Sequence, residues 1–170
     1  MIKIRCSYCK KSFYRKLSHL KRNKRQYCSI KCFALDKKIL KHQQDMERMY
    51  KDYKIFKKYL NSLSLTFIGW LVGFWEGEGY IEKHKNTNYN YVFTIAQKDP
   101  SPLEFIKEKL KIGTVRGVGM GKLKTYRYDL YSSGKILALL DYFTKLMRSN
   151  KRINQVKNIY KNLNTIKKHD

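Results

Sequence analysis

Three glycines recur at every fourth position in one apolar segment near the middle of the chain. Gly69, Gly73 and Gly77 therefore share one face of the helix that this segment predicts. A glycine inside a helix costs about 1 kcal/mol relative to alanine, so three on one face need a compensating contact. A face without side chains lets another helix approach almost backbone to backbone. These glycines therefore predict a closely packed helix pair.

Two acidic residues end this segment just before a predicted strand. Glu76 and Glu78 follow the apolar helix, and Tyr80 opens the strand. If two copies of the helix pack together, two carboxylates meet at one end of the pair. Paired carboxylates bind divalent metal ions and can activate water against a phosphodiester. The segment thus predicts a metal-dependent hydrolytic site.

The stretch Leu71–Gly79 resembles the LAGLIDADG signature of homing endonucleases. Val72 stands for alanine, Phe74 and Trp75 stand for the leucine-isoleucine pair, and glutamate replaces both aspartates. A short motif alone is weak support, and the alternative is an ordinary buried helix that ends in acids. The elements that follow strengthen the resemblance.

Alternating patterns predict an α+β fold in the order αββαββα, with one more helix at the end. This order is similar to that of the LAGLIDADG unit, and the resemblance covers residues 65–163. It implies a four-stranded antiparallel saddle that sits in the major groove of DNA. The predicted helices span residues 65–77, about 99–110, 135–147 and 152–163, and the strands span residues 80–84, 89–97, 112–117 and 124–131.

The resemblance also implies the catalytic residues. Glu78 corresponds to the acid that binds the catalytic ion, Mg²⁺, at the scissile phosphate, and the main-chain carbonyl of Gly77 assists. Gln97 corresponds to a polar residue in the solvent network around the metal. The family uses a basic residue before the last helix, but strict alignment places Ser149 there, so Lys151 is the best candidate. Glu76 is expected to help end the helix.

The chain contains one signature, which supplies only one of the two acidic sites that cleavage of both DNA strands requires. The resemblance therefore predicts a homodimer that packs its Gly69, Gly73 and Gly77 faces together and carries two copies of Glu78. Such a dimer would make double-strand breaks at a long pseudo-palindromic site. Two alternatives stay open: an RNA maturase that assists splicing of its host intron, and a non-catalytic DNA-binding protein.

Strand residues with polar or positive side chains are the candidates for base contacts, because each base pair presents a distinct pattern in the major groove. Alternation does not decide which face of the strands meets DNA, and a solvated strand residue is the alternative for each. Lys98, after the second strand, is a candidate for phosphate. The candidates along the strands are Glu82, His84, Asn90, Tyr91, Val92, Arg116, Lys122, Lys124, Tyr126 and Arg127.

The charge balance favours a polyanionic partner. The chain carries 38 Lys and Arg against 13 Asp and Glu, a formal charge of +25. Such an excess repels itself and attracts nucleic acid, so double-stranded DNA is the leading partner and an anionic membrane surface is the second. No segment reaches the roughly 18 apolar residues of a membrane-spanning helix, and the start is too charged for a secretory signal. These features predict an intracellular protein that acts on the DNA of a bacterial or phage host or of an organelle.

All four cysteines lie near the start of the chain, as Cys6-x-x-Cys9 and Cys28-x-x-x-Cys32. Thiolates at these spacings can close a tetrahedral structural zinc site; reduced structural cysteines or a disulfide are the alternative. The segment resembles the treble-clef or zinc-ribbon modules of phage-borne homing endonucleases, which implies DNA contacts. The predicted contacts are Lys10, Lys11, Arg15, Lys16, Lys21, Arg22, Lys24 and Arg25.

An amphipathic helix follows the cysteines, with an apolar stripe from Ile39 to Leu60. The stripe allows three interpretations: a connector that crosses DNA, a coiled-coil seam, or packing on its own domain. The resulting domain prediction is a zinc module at 1–33, a connecting helix at 34–62, an endonuclease domain at 63–166 and a tail at 167–170.

Overall fold

The computed structural model describes residues 1–83, 91–119 and 124–167. The chain divides into two compact units, Met1–Arg48 and Met49–Asp170. A long helix, α2 (Ile30–Leu60), contributes residues to both. Within the described ranges, every helix is too short or too polar to cross a membrane.

The first unit is a small hairpin-and-helix module with almost no apolar core. Strands β1 (Ile2–Arg5) and β2 (Ser12–Arg15) pair antiparallel and precede the short helix α1 (Leu17–Leu20) and the start of α2. Its only buried side chains are Cys6, Gln26 and Asp36. The Asp36 carboxylate accepts hydrogen bonds from Arg25 at 3.0 Å and from the Tyr27 hydroxyl at 2.7 Å. Polar contacts and the cysteines therefore replace a hydrophobic core, which so small a segment has too few apolar residues to form.

The second unit is an antiparallel four-stranded sheet with helices on one face. After α2 come α3 (Leu65–Glu78), α4 (Ser101–Leu110), α5 (Ser133–Leu146) and α6 (Asn150–Lys167). The strands of the sheet are β3 (Gly79–Lys83), β4 (Tyr91–Gln97), β5 (Thr114–Val118) and β6 (Thr125–Leu130). The order of helices and strands along the chain confirms the predicted αββαββα order, and the strands lie in the sheet in the order β3-β4-β6-β5.

Alternation along the strands separates a helix-facing side from an outer face. Phe93 and Ile95 point into the core with Tyr128 and Leu130, their partners on β6. The other parity forms the outer face, opposite the helices. The outer face consists of Tyr80, Glu82, Val92, Thr94, Ala96, Thr114, Arg116, Val118, Thr125, Arg127 and Asp129.

Helix α3 begins and ends as its sequence predicts. The Ser64 side chain caps it by accepting from the Phe67 N–H at 3.2 Å. Apolar side chains on its inner side are buried, and Trp75 stacks on Phe93 with ring centroids 5.5 Å apart. Gly79 then starts β3, and a Cβ at this position would overlap the Trp75 indole. Glycine at position 79 is therefore required by packing within the chain.

The apolar stripe of α2 packs on its own unit from Met49 onward. Phe56 and Leu60 join the hydrophobic core. Tyr53 and Lys57 both donate hydrogen bonds to the Asp141 carboxylate on α5. The hydrogen bond between Lys57 and Asp141 raises the pKa of Lys57. For this part of α2, packing on its own domain is the correct interpretation among the three.

We expect Gly79→Ala to destabilise the second unit, because the added methyl group must displace the fully buried Trp75 indole. Overpacking of this kind costs about 1–3 kcal/mol, and urea denaturation followed by tryptophan fluorescence measures it. Gly117→Ala on β5 is the matched control, since its Cβ would overlap only the flexible end of Lys124 and would meet the Tyr126 ring at an ordinary contact distance of 3.8 Å. Equal unfolding midpoints for both variants would contradict the packing role of Gly79.

Candidate functional site

The predicted catalytic acid and glutamine lie at the same end of the sheet. In the β3–β4 pair, Gly79 lies opposite Ile95, so Glu78 and Gln97 both lie at or just beyond this end. Glu78 is exposed, and among the described residues it has no hydrogen-bond or ion-pair partner. Gln97 is half-buried and lies opposite Tyr126 on β6. The Glu78 carboxylate is thus free to bind a ligand from outside.

The first acid of the signature has a different task. The Glu76 carboxylate oxygen Oε1 accepts hydrogen bonds from the backbone N–H groups of Arg148 at 2.8 Å and Ser149 at 2.7 Å. Its backbone carbonyl accepts from Arg152 Nε at 3.2 Å. Glu76 therefore ties the end of α3 to the junction between α5 and α6. It does more than the predicted role of ending a helix.

This tie brings the late basic segment to the candidate catalytic end of α3. Lys151 lies between Ser149 and Arg152, which both donate to Glu76, and its side chain is exposed. Arg152 is only 8% exposed and covers the Trp75 ring at 5.3 Å. Of the two basic neighbours, Lys151 is therefore the one available to a phosphate.

The structural role of Arg152 was not predicted from the sequence. A signal exists, because Arg152 shares helical spacing with Val156 and Ile159, which are both buried. Gln155 belongs to the same link and donates to the Ile81 carbonyl at 2.7 Å.

The three glycines of α3 lie on an open surface. A Cβ added at Gly69, Gly73 or Gly77 would meet no atom within 4 Å, so packing within the described chain does not explain them. Trp70 lies beside them, 40% exposed, and stacks on Phe74 with ring centroids 5.2 Å apart. An apolar helix therefore presents an exposed face of glycine and aromatic side chains.

The strand candidates separate by parity. Glu82, Val92, Arg116 and Arg127 lie on the outer face, although Val92 is only 4% exposed. Arg127 lies directly opposite Arg116 on the neighbouring strand, so two cations are adjacent on this face.

Other candidates lie elsewhere. Tyr91 and Tyr126 have the helix-facing parity, Tyr91 is buried in the core and Tyr126 packs against it. Register therefore puts these two on the opposite side of the sheet from Arg116. Lys98 and Lys124 are exposed. The remaining candidates, His84, Asn90 and Lys122, lie outside the described residues.

The four cysteines form a compact cluster. Their Sγ atoms all lie within 4.8 Å of one another, and Cys28 Sγ is 3.5 Å from the sulfurs of Cys9 and Cys32. A tetrahedral zinc site with Zn–S bonds of about 2.3 Å places its sulfurs about 3.8 Å apart. The cluster therefore fits a thiolate-bound metal ion. A disulfide does not fit, since all four cysteines are unpaired.

The electrostatics of the cluster fit the same ligand set. Burial opposes ionisation of the Cys6 thiol, but the backbone N–H groups of Cys28, Cys9 and Tyr8 outweigh it and lower its pKa to about 6. Side-chain hydrogen bonds with Cys9 and Cys32 raise the pKa of Cys28 to about 12. A bound metal ion would stabilise all four thiolates together.

The predicted DNA contacts of the first unit are accessible. Lys10, in left-handed conformation with φ of 63°, follows directly after Cys9. Arg15 is the half-buried exception and donates to the Gln26 side chain at 3.0 Å. The exposed residues among the predicted DNA contacts are Lys10, Lys11, Lys16, Lys21, Arg22, Lys24 and Arg25.

Comparison with known proteins gives a family for the second unit. The family model described as LAGLIDADG endonuclease matches residues 71–163. No curated protein matches the chain.

Solved structures with similarity to the chain include an archaeal intron-encoded homing endonuclease, I-Vdi141I, complexed with DNA. It is 28% identical, with a TM-score of 0.36, over 47% of this chain and 55% of its own. I-CvuI, in complex with a DNA target, is 17% identical, with a TM-score of 0.41, over 54% of this chain and 62% of its own. I-CpaMI, bound to uncleaved DNA, is 20% identical, with a TM-score of 0.47, over 60% of this chain and 37% of its own. The chain thus spans about a third to two thirds of the length of these proteins.

We expect Glu76→Ala to destabilise the second unit by about 1–3 kcal/mol, because two backbone N–H groups lose their acceptor. Glu78→Ala is the matched control, since it removes a carboxylate two residues away that has no partner among the described residues. Urea unfolding of both variants measures the difference. A Glu76→Ala variant as stable as Glu78→Ala would show that the hydrogen bonds to Glu76 contribute nothing to the stability of the second unit.

Proposed function

The chain belongs to the LAGLIDADG endonuclease family, and from this membership we propose that it is a DNA endonuclease that makes metal-dependent double-strand breaks as a homodimer. The observation that carries the proposal is the end of α3. An unpartnered Glu78 there adjoins a glycine face that nothing within the described chain fills. A second copy of the helix would fill that face and bring a second Glu78 to the same place.

The proposed active site draws its residues from three elements. Glu78 and the Gly77 carbonyl at the end of α3 would hold a divalent ion, Mg²⁺, with oxygen ligands of the kind that this ion prefers. When bound, the ion would lower the pKa of its water and stabilise charge on the phosphate. Gln97 on β4 would orient solvent beside the phosphate. Lys151 on α6 would neutralise charge there, since its side chain is exposed and Glu76 fixes its helix to α3.

The outer face of the sheet is the proposed surface for the major groove. It carries Arg116 and Arg127, and the helices cover the opposite side. A strand ribbon with polar and basic side chains fits the width of the major groove of B-DNA. With two such faces in a dimer, the site would be long and pseudo-palindromic, as two-fold symmetry requires.

The first unit is proposed to hold one structural zinc ion through Cys6, Cys9, Cys28 and Cys32 and to add DNA contacts. Support comes from the distances among the four sulfurs and from the absence of an apolar core in residues 1–48. Residues 1–35 contain eleven Lys and Arg and no acidic residue. Such a segment binds phosphates without reading sequence.

For catalysis, we expect Glu78→Gln to abolish cleavage of both strands while target binding survives. The substitution keeps the size and hydrogen-bonding capacity of the side chain but removes the charge that holds the metal. Incubation of a randomised duplex library with Mg²⁺ identifies a cleaved target, and gel assays on that target then separate cleavage from binding. Cleavage near the wild-type rate would show that Glu78 is misassigned.

If the wild-type protein leaves every duplex intact, the endonuclease proposal is wrong. Tight binding to structured intron RNA would in that case favour the maturase alternative.

For assembly, we expect Gly73→Leu to yield monomers that do not cleave, because a leucine at the centre of the glycine face holds two helices apart. Sedimentation at micromolar concentration measures the assembly. Gly117→Leu is a control that adds the same bulk at an exposed strand position outside α3. A Gly73→Leu protein that stays dimeric and active would contradict packing through the glycine face.

For the first unit, we expect metal analysis under reducing conditions to find one zinc ion per chain. Deletion of residues 1–35 should weaken DNA binding and reduce its salt dependence, because fewer counterions are released. The double variant Cys6→Ser, Cys9→Ser keeps every Lys and Arg but should lose the metal. It therefore separates the effect of charge on DNA binding from the effect of unfolding the first unit. Protein without zinc would refute the metal site, and an unchanged salt dependence after deletion would refute the DNA contacts.

A further inference from the structure

A fully buried carboxylate lies in the outer face of the sheet. The side chain of Asp129 is 0% exposed, although the face as a whole points away from the helices. Its Oδ1 accepts from the Thr94 hydroxyl at 2.8 Å and from Arg127 Nη2 at 3.2 Å. Its Oδ2 accepts from Arg116 Nε at 2.9 Å and forms an ion pair with Arg116 Nη2, also at 2.9 Å. Burying a charge is costly unless it is paired and hydrogen-bonded, and here one acid is paired with two arginines.

The two arginines need this acid. Arg116 and Arg127 lie directly opposite each other on β5 and β6, and like charges in that position repel. Asp129 follows Arg127 by two residues on the same face and binds both guanidinium groups. On its other side Arg127 approaches Glu82 at 3.9 Å and lies over the Tyr80 ring at 5.7 Å. These contacts therefore hold Arg116 and Arg127 in place on the outer face of the sheet.

Exposure distinguishes the two cations. The Arg116 side chain is 54% exposed and the Arg127 side chain only 23%. Asp129 engages Nε and Nη2 of Arg116, so both N–H groups of Nη1 and one of Nη2 remain for an outside acceptor. Arg116 can therefore donate hydrogen bonds from two neighbouring nitrogens to a ligand on the outer face. Arg127 lies beside it and is less exposed.

We propose that Asp129 is a positioning residue that presents Arg116 to a guanine in the major groove. The inference rests on the proposed function, because it assumes that the outer face meets DNA. Guanine alone offers two adjacent acceptors there, O6 and N7, which match the fork of an arginine. Holding the arginine in place before binding reduces the side-chain entropy lost on contact.

The test is a selection of bound duplexes from a randomised library, carried out with the full-length wild-type protein, Asp129→Asn and Arg116→Lys. We expect the wild type to prefer guanine at one position in each half-site. Both variants should lose that preference by about tenfold, the scale of one bidentate contact, and keep their preferences elsewhere. Arg116→Lys keeps the charge, so affinity for a duplex without the target should not change.

Asp141→Asn is the matched control, because Asp141 also pairs with a cation, Lys57, but lies on α5. It should alter stability and leave the base preferences intact. If Asp129→Asn does not fold, Arg116→Lys carries the test, since it retains the acid. Retained guanine preference in Arg116→Lys or in folded Asp129→Asn would overturn the inference, as would a uniform loss at all positions or the same loss in Asp141→Asn.

The selection also separates this inference from the proposed function. A wild-type protein that enriches no sequence would overturn both. A selected site at which neither variant changes the preferred base would overturn only the role of Asp129 and Arg116.

Discussion

The packing of one indole ring determines where the candidate active site lies. Trp75 is completely buried and contacts Phe93 on β4 and Phe143 on α5, each with ring centroids 5.5 Å apart. The Arg152 guanidinium of α6 covers the same ring, and Gly79 leaves room for it at the start of β3. Four elements thus meet α3 one turn before its end. Glu78 is the next exposed acid along the chain, so its position is fixed by the core.

The two acids of the signature illustrate how helical geometry divides their tasks. Successive residues turn by about 100°, so Glu76 and Glu78 point to nearly opposite sides of α3. The inward carboxylate accepts two backbone hydrogen bonds from the junction before α6, while the outward one has no partner among the described residues. Glu76 therefore holds the end of α3 in place, and the Glu78 carboxylate is free to bind a ligand.

Local patterns in the sequence were sufficient to predict the elements, and long-range pairing accounts for what they missed. The helix predicted at residues 65–77 and the strand predicted at residues 89–97 rest on local signals, and α3 (Leu65–Glu78) and β4 (Tyr91–Gln97) confirm both. Alternation alone leaves open which face Tyr126 occupies, because that depends on the register of β6 with β4. The links made by Glu76 and Asp129 join residues far apart in sequence or on neighbouring strands, so no pattern along one element reveals them. The cysteine cluster was predictable because its spacing encodes the geometry of the ligands.

In the proposed dimer, each copy of the chain contributes one Glu78 and cuts one strand. Mixing wild-type protein with Glu78→Gln protein, followed by digestion of a supercoiled plasmid that carries the target, tests it most directly. We expect a nicked product that is most abundant when the two proteins are equimolar, because mixed dimers hold one competent acid. Mixtures that give only linear and intact plasmid, in proportion to the wild-type fraction, would contradict it.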